Sequence, residues 1–136
     1  MKPFLQRKIP AYNLQEILIV LAIIGILLLL AMPKLMPLIS KTKSLEAQTQ
    51  LKHIHNMQIL YSYSSSRFSN DFDQIDFEAP RTVKNGGNAN YVYEIIMATT
   101  DAFKVRATAV VDFDRDGIYN VWEIDENGTP KQVIKD

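Results

Sequence analysis

Two groups of side chains in this sequence have the types and spacing to do chemistry. The first is Asp112, Asp114, Asp116, Gly117, Ile118, Asn120 and Glu123. Oxygen-bearing residues at alternate positions, a glycine for a sharp turn and a final glutamate form the pattern of a calcium loop. That loop lies between helices, whereas the flanks here read as strands. In a strand from Tyr119, Glu123 falls roughly 23 Å along the chain from Asp116, too far to share an ion unless the chain folds back. The candidate calcium ligands are therefore Asp112, Asp114, Asp116, Ile118 and Asn120, with Glu123 a poor one. Three aspartates this close repel one another, and either a cation relieves them or solvent and Arg115 do so in a plain hairpin. No cofactor is required by anything else in the chain.

The second group is Glu16 and what precedes it. Ile17 to Met32 reads ILIVLAIIGILLLLAM, sixteen residues without a polar side chain. An unpaired carboxylate beside such a run is costly in lipid, about 2.5 kcal/mol or more near the centre, and an ionisable group there is a functional hypothesis by default. A cut between Ala11 and Tyr12 would place a new α-amino group one helical turn from Glu16. His53 and His55, two apart, point to different helix faces and cannot form an i, i+4 zinc pair; packed or solvated histidines are expected.

The elements that position these groups follow from periodicity. The apolar run has no polar face, unlike a soluble core helix. As a helix its sixteen residues are about 24 Å long, and adding Leu14, Leu35 and Met36 gives about 35 Å, enough to span a bilayer with some tilt. Lys2, Arg7 and Lys8 precede it without an acid, which leaves the N-terminus in the cytoplasm and sends the remainder across. The apolar stretch is longer than in an ordinary signal peptide, and Leu29, Ala31 and Met32 make a poor cleavage site, so the span is expected to be retained. Ala47, Leu51, Ile54, Met57 and Tyr61 then recur at helical spacing, with Lys43, Glu46, Gln50, Lys52 and Gln58 between them. One helix from Leu14 to about Tyr63 is predicted, bent at Pro37 and ended by the serine cluster after it.

From Asn70 the chain becomes acidic and rich in turns. Residues 71–80 read as a loop, and Asn85-Gly86-Gly87-Asn88 as a tight turn. Strands are predicted at Tyr91–Met97, Phe103–Val111, about Tyr119–Ile124 and Gln132–Ile134, with hairpin turns at Thr100-Asp101 and Asn127-Gly128. On the second strand Phe103, Val105, Ala107 and Ala109 alternate with Lys104, Arg106 and Thr108. The fold class is α+β: a long N-terminal helix whose second half packs against a small antiparallel sheet. The expected divisions are residues 1–11, a basic leader; 12–36, a transmembrane or filament-core helix; 37–66, an amphipathic half; and 67–136, a small head.

Composition narrows the functional classes. The chain of 136 residues has no cysteine, so disulfides, thiolate metal sites and cysteine nucleophiles are excluded. Fifteen basic residues balance fifteen acidic ones, which gives no sign of nucleic-acid binding through bulk charge. The balance is uneven along the chain. The leader carries +3, residues 12–70 hold five basic and two acidic residues, and residues 71–136 hold seven basic and thirteen acidic. There is no nucleophile with a base, phosphate loop or histidine cluster, so an enzyme is not expected.

Lys8-Ile9-Pro10-Ala11, then Tyr12-Asn13-Leu14-Gln15-Glu16, then the apolar run ending at Pro33, resemble the type IV pilin and type II secretion pseudopilin family. Ala11 stands where that family usually has glycine, Asn13 where it has threonine or serine, and Gln15 where it has an apolar residue. The resemblance covers about the first third of the chain. It implies that a prepilin peptidase cleaves after Ala11 and N-methylates Tyr12. It further implies that the helices then leave the bilayer to form a filament core, with Glu16 paired to the Tyr12 amine of a neighbour. Gly25 and Pro33 fall where the family has a glycine and a proline and would soften the helix. The implied partners are copies of the chain, other pseudopilins, an inner-membrane assembly platform, the peptidase and membrane lipid. The implied location is the bacterial inner membrane, with the head in the periplasm, and then a periplasmic or surface filament. The expected function is a structural filament subunit of the major pseudopilin type. The alternatives are a type IV pilus pilin (adhesion, motility or DNA uptake) and a single-span anchor for a calcium-binding module. Major pseudopilins of this family carry a calcium site in the C-terminal part of the head, which adds plausibility to calcium without assigning a ligand.

Overall fold

The computed structural model describes residues 11–136; the leader before Ala11, with Lys2, Arg7 and Lys8, lies outside the described residues. One helix, α1, spans Leu14–Ser65 and passes through Gly25, Pro33 and Pro37 without interruption. Pro33 and Pro37 each remove one backbone donor, so the carbonyls of Leu29 and Pro33 lose their helical partners. The chain divides into two compact units, one ending at Leu35 and the other running from Met36 to Asp136.

Among the described residues of the first unit, the apolar side chains of the helix are uncovered. Every described residue up to Ile39 is exposed, including the whole run from Ile17 to Met32. Among the described residues, a Cβ at position 25 would meet nothing within 4 Å, so packing does not demand a glycine there.

The second unit holds the core. The helical stripe supplies Ala47, Leu51 and Ile54, all fully buried, with Met57 and Tyr61 partly buried at its end. Its cover is a four-stranded antiparallel meander, β1 (Tyr91–Ala98), β2 (Phe103–Ala109), β3 (Val121–Asp125) and β4 (Lys131–Ile134), in that spatial order. Register follows the alternation of β2: Val105 lies opposite Ile95 and Ile124, and Ala107 opposite Tyr93 and Trp122. Phe103, Val105, Ala107 and Ala109 therefore face the helix while Lys104, Arg106 and Thr108 face outward. On the outer face Arg106 bonds Glu123 through Nη2 at 2.7 Å and Nε at 2.8 Å, with Glu94 at 3.7 Å on the other neighbouring strand.

Two features depart from the expected pattern. Gln58, placed on the polar side by periodicity, is fully buried. The acidic connection expected to be a plain loop also contributes to the core. Phe68, Ile75 and Phe77 are buried, and short 3-10 turns form at Asp73–Ile75 and Val83–Asn85. Phe68 packs at a tilt against Phe103, with ring centroids 4.8 Å apart, and Phe77 against Phe72 at 5.1 Å, closing the end of the sandwich that helix and sheet leave open. The two histidines lie on different faces, His53 exposed and His55 half-buried. His53 lies 5.9 Å from the Phe77 ring, and His55 lies 5.8 Å from Phe103 with Nε2 3.1 Å from the Glu126 carbonyl.

Candidate functional site: the stem terminus and the aspartate loop

Ala11, Tyr12 and Asn13 precede α1, and Tyr12 is strongly exposed. Asn13 begins the helix, its carbonyl accepting from the N–H groups of Glu16 at 2.9 Å and Ile17 at 3.3 Å. Glu16 reaches back, and its Oε2 accepts the Asn13 N–H at 3.1 Å. This is the glutamate half of a capping box, with the carboxylate at the positive end of the helix dipole. The same contact brings Glu16 to within a residue of Tyr12, the residue whose amine a cut after Ala11 would free. Glu16 is the sole acid in the first turn, directly ahead of an apolar surface that nothing covers among the described residues.

The second candidate lies in the connection from β2 to β3. Asp112 accepts from the N–H groups of Arg115 and, at 2.7 Å, Gly117; Asp114 accepts from Asp116 at 3.0 Å, and Asp116 from Ile118 at 2.7 Å. Gly117 has φ +89° and Arg115 φ +67°, the left-handed turns that let the loop curl around its own carboxylates. Asp112, Asp114 and Asp116 are joined by Asp136, and one oxygen from each of the four lies within 4.8 Å of the others. Two oxygens on opposite sides of one calcium ion are about 4.6–5.2 Å apart, so the cluster has the donor type and size for that cation.

Asp136 escaped the sequence reading because it lies outside the local motif. The signal that could have found it is hairpin register. Ile134 pairs with Val121, so the residues after β4 run back beside the start of β3 and the aspartate loop. There Asp136 accepts from Phe113 N–H at 2.8 Å and Asp114 N–H at 3.3 Å, while the Ser40 hydroxyl of α1 donates to its backbone carbonyl at 2.8 Å. Asn120 sits apart from the carboxylates in its hydrogen bonding. It is fully buried, and its Nδ2 donates to Ser44 Oγ at 3.2 Å. Ile118 is exposed and contributes its N–H to Asp116. Glu123 is committed to Arg106 and, at 3.9 Å, Lys104 on the sheet.

Buried hydroxyls flank the middle of the helix here. Burial pushes Tyr91 up to about 12 against the pull of the neighbouring Ser44 hydroxyl, with the carboxylates of Glu46 and Asp136 adding to the rise. Tyr93 is pushed still higher by burial, then by Glu46 and Tyr91. Both therefore stay neutral phenols throughout the physiological range.

No family model matches the chain. Over 90 residues, 66% of its length, it is 33% identical to the type IV major pilin protein PilA of Myxococcus xanthus (strain DK1622). The match spans 38% of that protein's length. With an exposed apolar helix that starts at a capping glutamate, and an antiparallel meander packed on the stripe from Ala47 to Tyr61, the chain is a homologue of the type IV pilins.

Proposed function

We propose that the chain is a structural subunit of a pilin-like filament, assembled through the apolar half of α1. The observation that carries this reading is the uninterrupted exposure of the helix from Leu14 to Ile39, headed by Glu16. Such a surface cannot remain in water. In lipid it is satisfied, and in a bundle of identical helices it is satisfied equally, so a subunit can pass from one to the other at low cost. Leu and Ile packing alone gives no register along the helix, whereas a charge pair between Glu16 and a neighbour's freed Tyr12 amine does. The leader is cut after Ala11 by a prepilin peptidase, Tyr12 is N-methylated, and the second unit lies outside the cytoplasm. Gly25 and Pro33 loosen the helix as it enters the filament.

Within this class, a secretion pseudopilus subunit is favoured by the small head, the lack of cysteine and the four clustered carboxylates, which offer calcium an all-oxygen site. The name of the Myxococcus relative favours a pilus. The first test is the N-terminus of the protein purified from membranes. A mass beginning at N-methyl-Tyr12 is expected, and an intact Met1 or a cut after Ala31 refutes the filament reading. Deleting the gene then separates the subclasses: loss of protein export marks a secretion pseudopilus, and loss of surface filaments with export intact marks a pilus.

A further inference from the structure

Lys43, Glu46 and Asn90 form a constellation that the filament reading does not use. Lys43 and Glu46 lie one helical turn apart on α1, both half-buried, and Asn90, buried, immediately precedes β1. Lys43 Nζ donates to Asn90 Oδ1 at 3.0 Å. Glu46 accepts twice from the same asparagine, at 2.8 Å from its backbone N–H and at 2.7 Å from Nδ2. The backbone carbonyl of Asn90 is also fixed, accepting from Val110 N–H at 2.8 Å. The carboxamide is therefore held with its oxygen against an amine and its nitrogen against a carboxylate, immediately before the buried Tyr91.

We propose that Lys43 and Asn90 become joined by an intramolecular isopeptide bond, with Glu46 as the proton-transfer catalyst. Nζ is hydrogen-bonded to Oδ1 at 3.0 Å, one bond away from the Cγ it must attack, and the lysine stem must rotate to bring Nζ from the plane of the amide to the face of Cγ. The Nζ–Cγ bond forms as the carbonyl becomes tetrahedral. Glu46 first takes one proton from the Lys43 ammonium and passes it to solvent, which frees the lone pair for attack. Once the Nζ–Cγ bond has formed, it takes a second proton from Nζ and delivers it to Nδ2, to which it is already hydrogen-bonded, and the departing ammonia recovers the first proton from solvent. The Cγ–Nδ2 bond then breaks and ammonia departs. In total, a lysine ammonium and a primary amide become a secondary amide and an ammonium ion; nothing is oxidised or reduced, and Glu46 is regenerated. The bond ties α1 to the start of the sheet across 47 residues of sequence, in a chain that has no cysteine with which to make a disulfide. Like a disulfide, it restricts the unfolded chain, and it keeps the helix and sheet together under tension.

The test is the intact mass of the full-length chain purified in detergent, followed by proteolysis and tandem mass spectrometry. The expected result is a mass lower by one ammonia than the sequence requires, with a branched peptide containing both Lys43 and Asn90. Lys43→Arg keeps the charge and the hydrogen bond but cannot form this amide. It should restore the full mass and the two separate peptides while retaining the circular dichroism of the parent. Glu46→Gln should leave the uncross-linked form predominant. Asn85-Gly86 and Asn127-Gly128 can also lose ammonia by cyclising to succinimides, so an ammonia loss that persists in Lys43→Arg overturns the proposal. A parent chain of full mass, with Lys43 and Asn90 in separate peptides, overturns it equally. Cross-linking that survives Glu46→Gln overturns the role given to the carboxylate.

Discussion

Gln58 and Ser69 are joined by two hydrogen bonds of the kind that link neighbouring strands. Gln58 Nε2 donates to the Ser69 carbonyl at 2.8 Å, and the Ser69 N–H donates to Gln58 Oε1 at 2.9 Å. Both residues are buried. The chain leaving α1 must cross the end of the core, where no strand is available to pair with it, and a side-chain amide from the helix stands in for that strand. Ser69 in turn uses its hydroxyl on Gln74 Oε1 at 2.7 Å, which anchors the first 3-10 turn.

Replacing Gln58 with Leu keeps the volume and removes both bonds, leaving a buried N–H and a buried carbonyl without partners. The expected cost is about 2 kcal/mol or more, by the penalty for orphaned buried polar groups. Thermal melting of the full-length protein in detergent checks it. An unchanged melting temperature would show that water reaches Ser69 and that the pairing is dispensable.

Gln58 also marks how far the sequence could be read. The stripe at Ala47, Leu51 and Ile54 and the alternation along β2 are periodic signals, and each emerges on the buried face that its period assigns. A glutamine buried as a backbone substitute breaks the period, since its fate depends on a partner eleven residues away. Phe68, Ile75 and Phe77 lie in a segment with no regular period, so their burial is settled by the gap they fill. Glu16 was legible because its charge is out of place. Asp136 was not, because its approach to Asp112, Asp114 and Asp116 is set by the pairing of β4 with β3.

Glu16 carries two separable duties, capping and charge. Glu16→Gln retains a side chain able to accept the Asn13 N–H, as glutamine does in capping boxes, but removes the charge. Membrane insertion should be unaffected and filament assembly impaired by at least tenfold in counts of filaments by electron microscopy. Glu16→Ala should lose both the cap and assembly. Filaments at the parental level from Glu16→Gln would exclude a charge pair with the Tyr12 amine.

The four clustered carboxylates should make the second unit responsive to calcium. With an ion bound to the folded form only, melting rises with calcium by an amount that grows with the logarithm of its concentration and falls on chelation. Asp114→Asn removes one charge and should shrink that response, while Asp136→Asn should weaken it and also loosen the Phe113 N–H. A melting temperature indifferent to both calcium and chelator would leave the loop held by its backbone hydrogen bonds alone.

Alkaline pH should unfold the second unit through its buried phenols. Tyr91, pushed up to about 12 mainly by burial, and Tyr93, raised further, are neutral when folded and ionise near 10 when unfolded. A folded pKa above the unfolded value contributes stability that is complete below pH 10 and lost as pH rises toward 12 and beyond. Melts recorded across that range should fall steeply, and Tyr93→Phe should flatten the fall. An identical slope in Tyr93→Phe would place the alkaline sensitivity elsewhere.

Gly128 completes the β3–β4 turn with φ +75°, and a Cβ there would meet the His55 ring at 2.8 Å. The turn is held close to α1 because Lys52 Nζ donates to the Gly128 carbonyl at 2.6 Å and His55 Nε2 engages Glu126. Gly128→Ala therefore combines a left-handed backbone penalty with a steric one, and a loss of about 1–2 kcal/mol is expected from the first alone. His55→Ala in the same chain should recover the steric part and leave the backbone part, so the two substitutions together should cost less than their separate effects added. Denaturant unfolding of the four variants closes this cycle. Strict additivity would mean that the turn moves away from the helix when Gly128 is replaced, and that the Lys52 tether does not fix it in place.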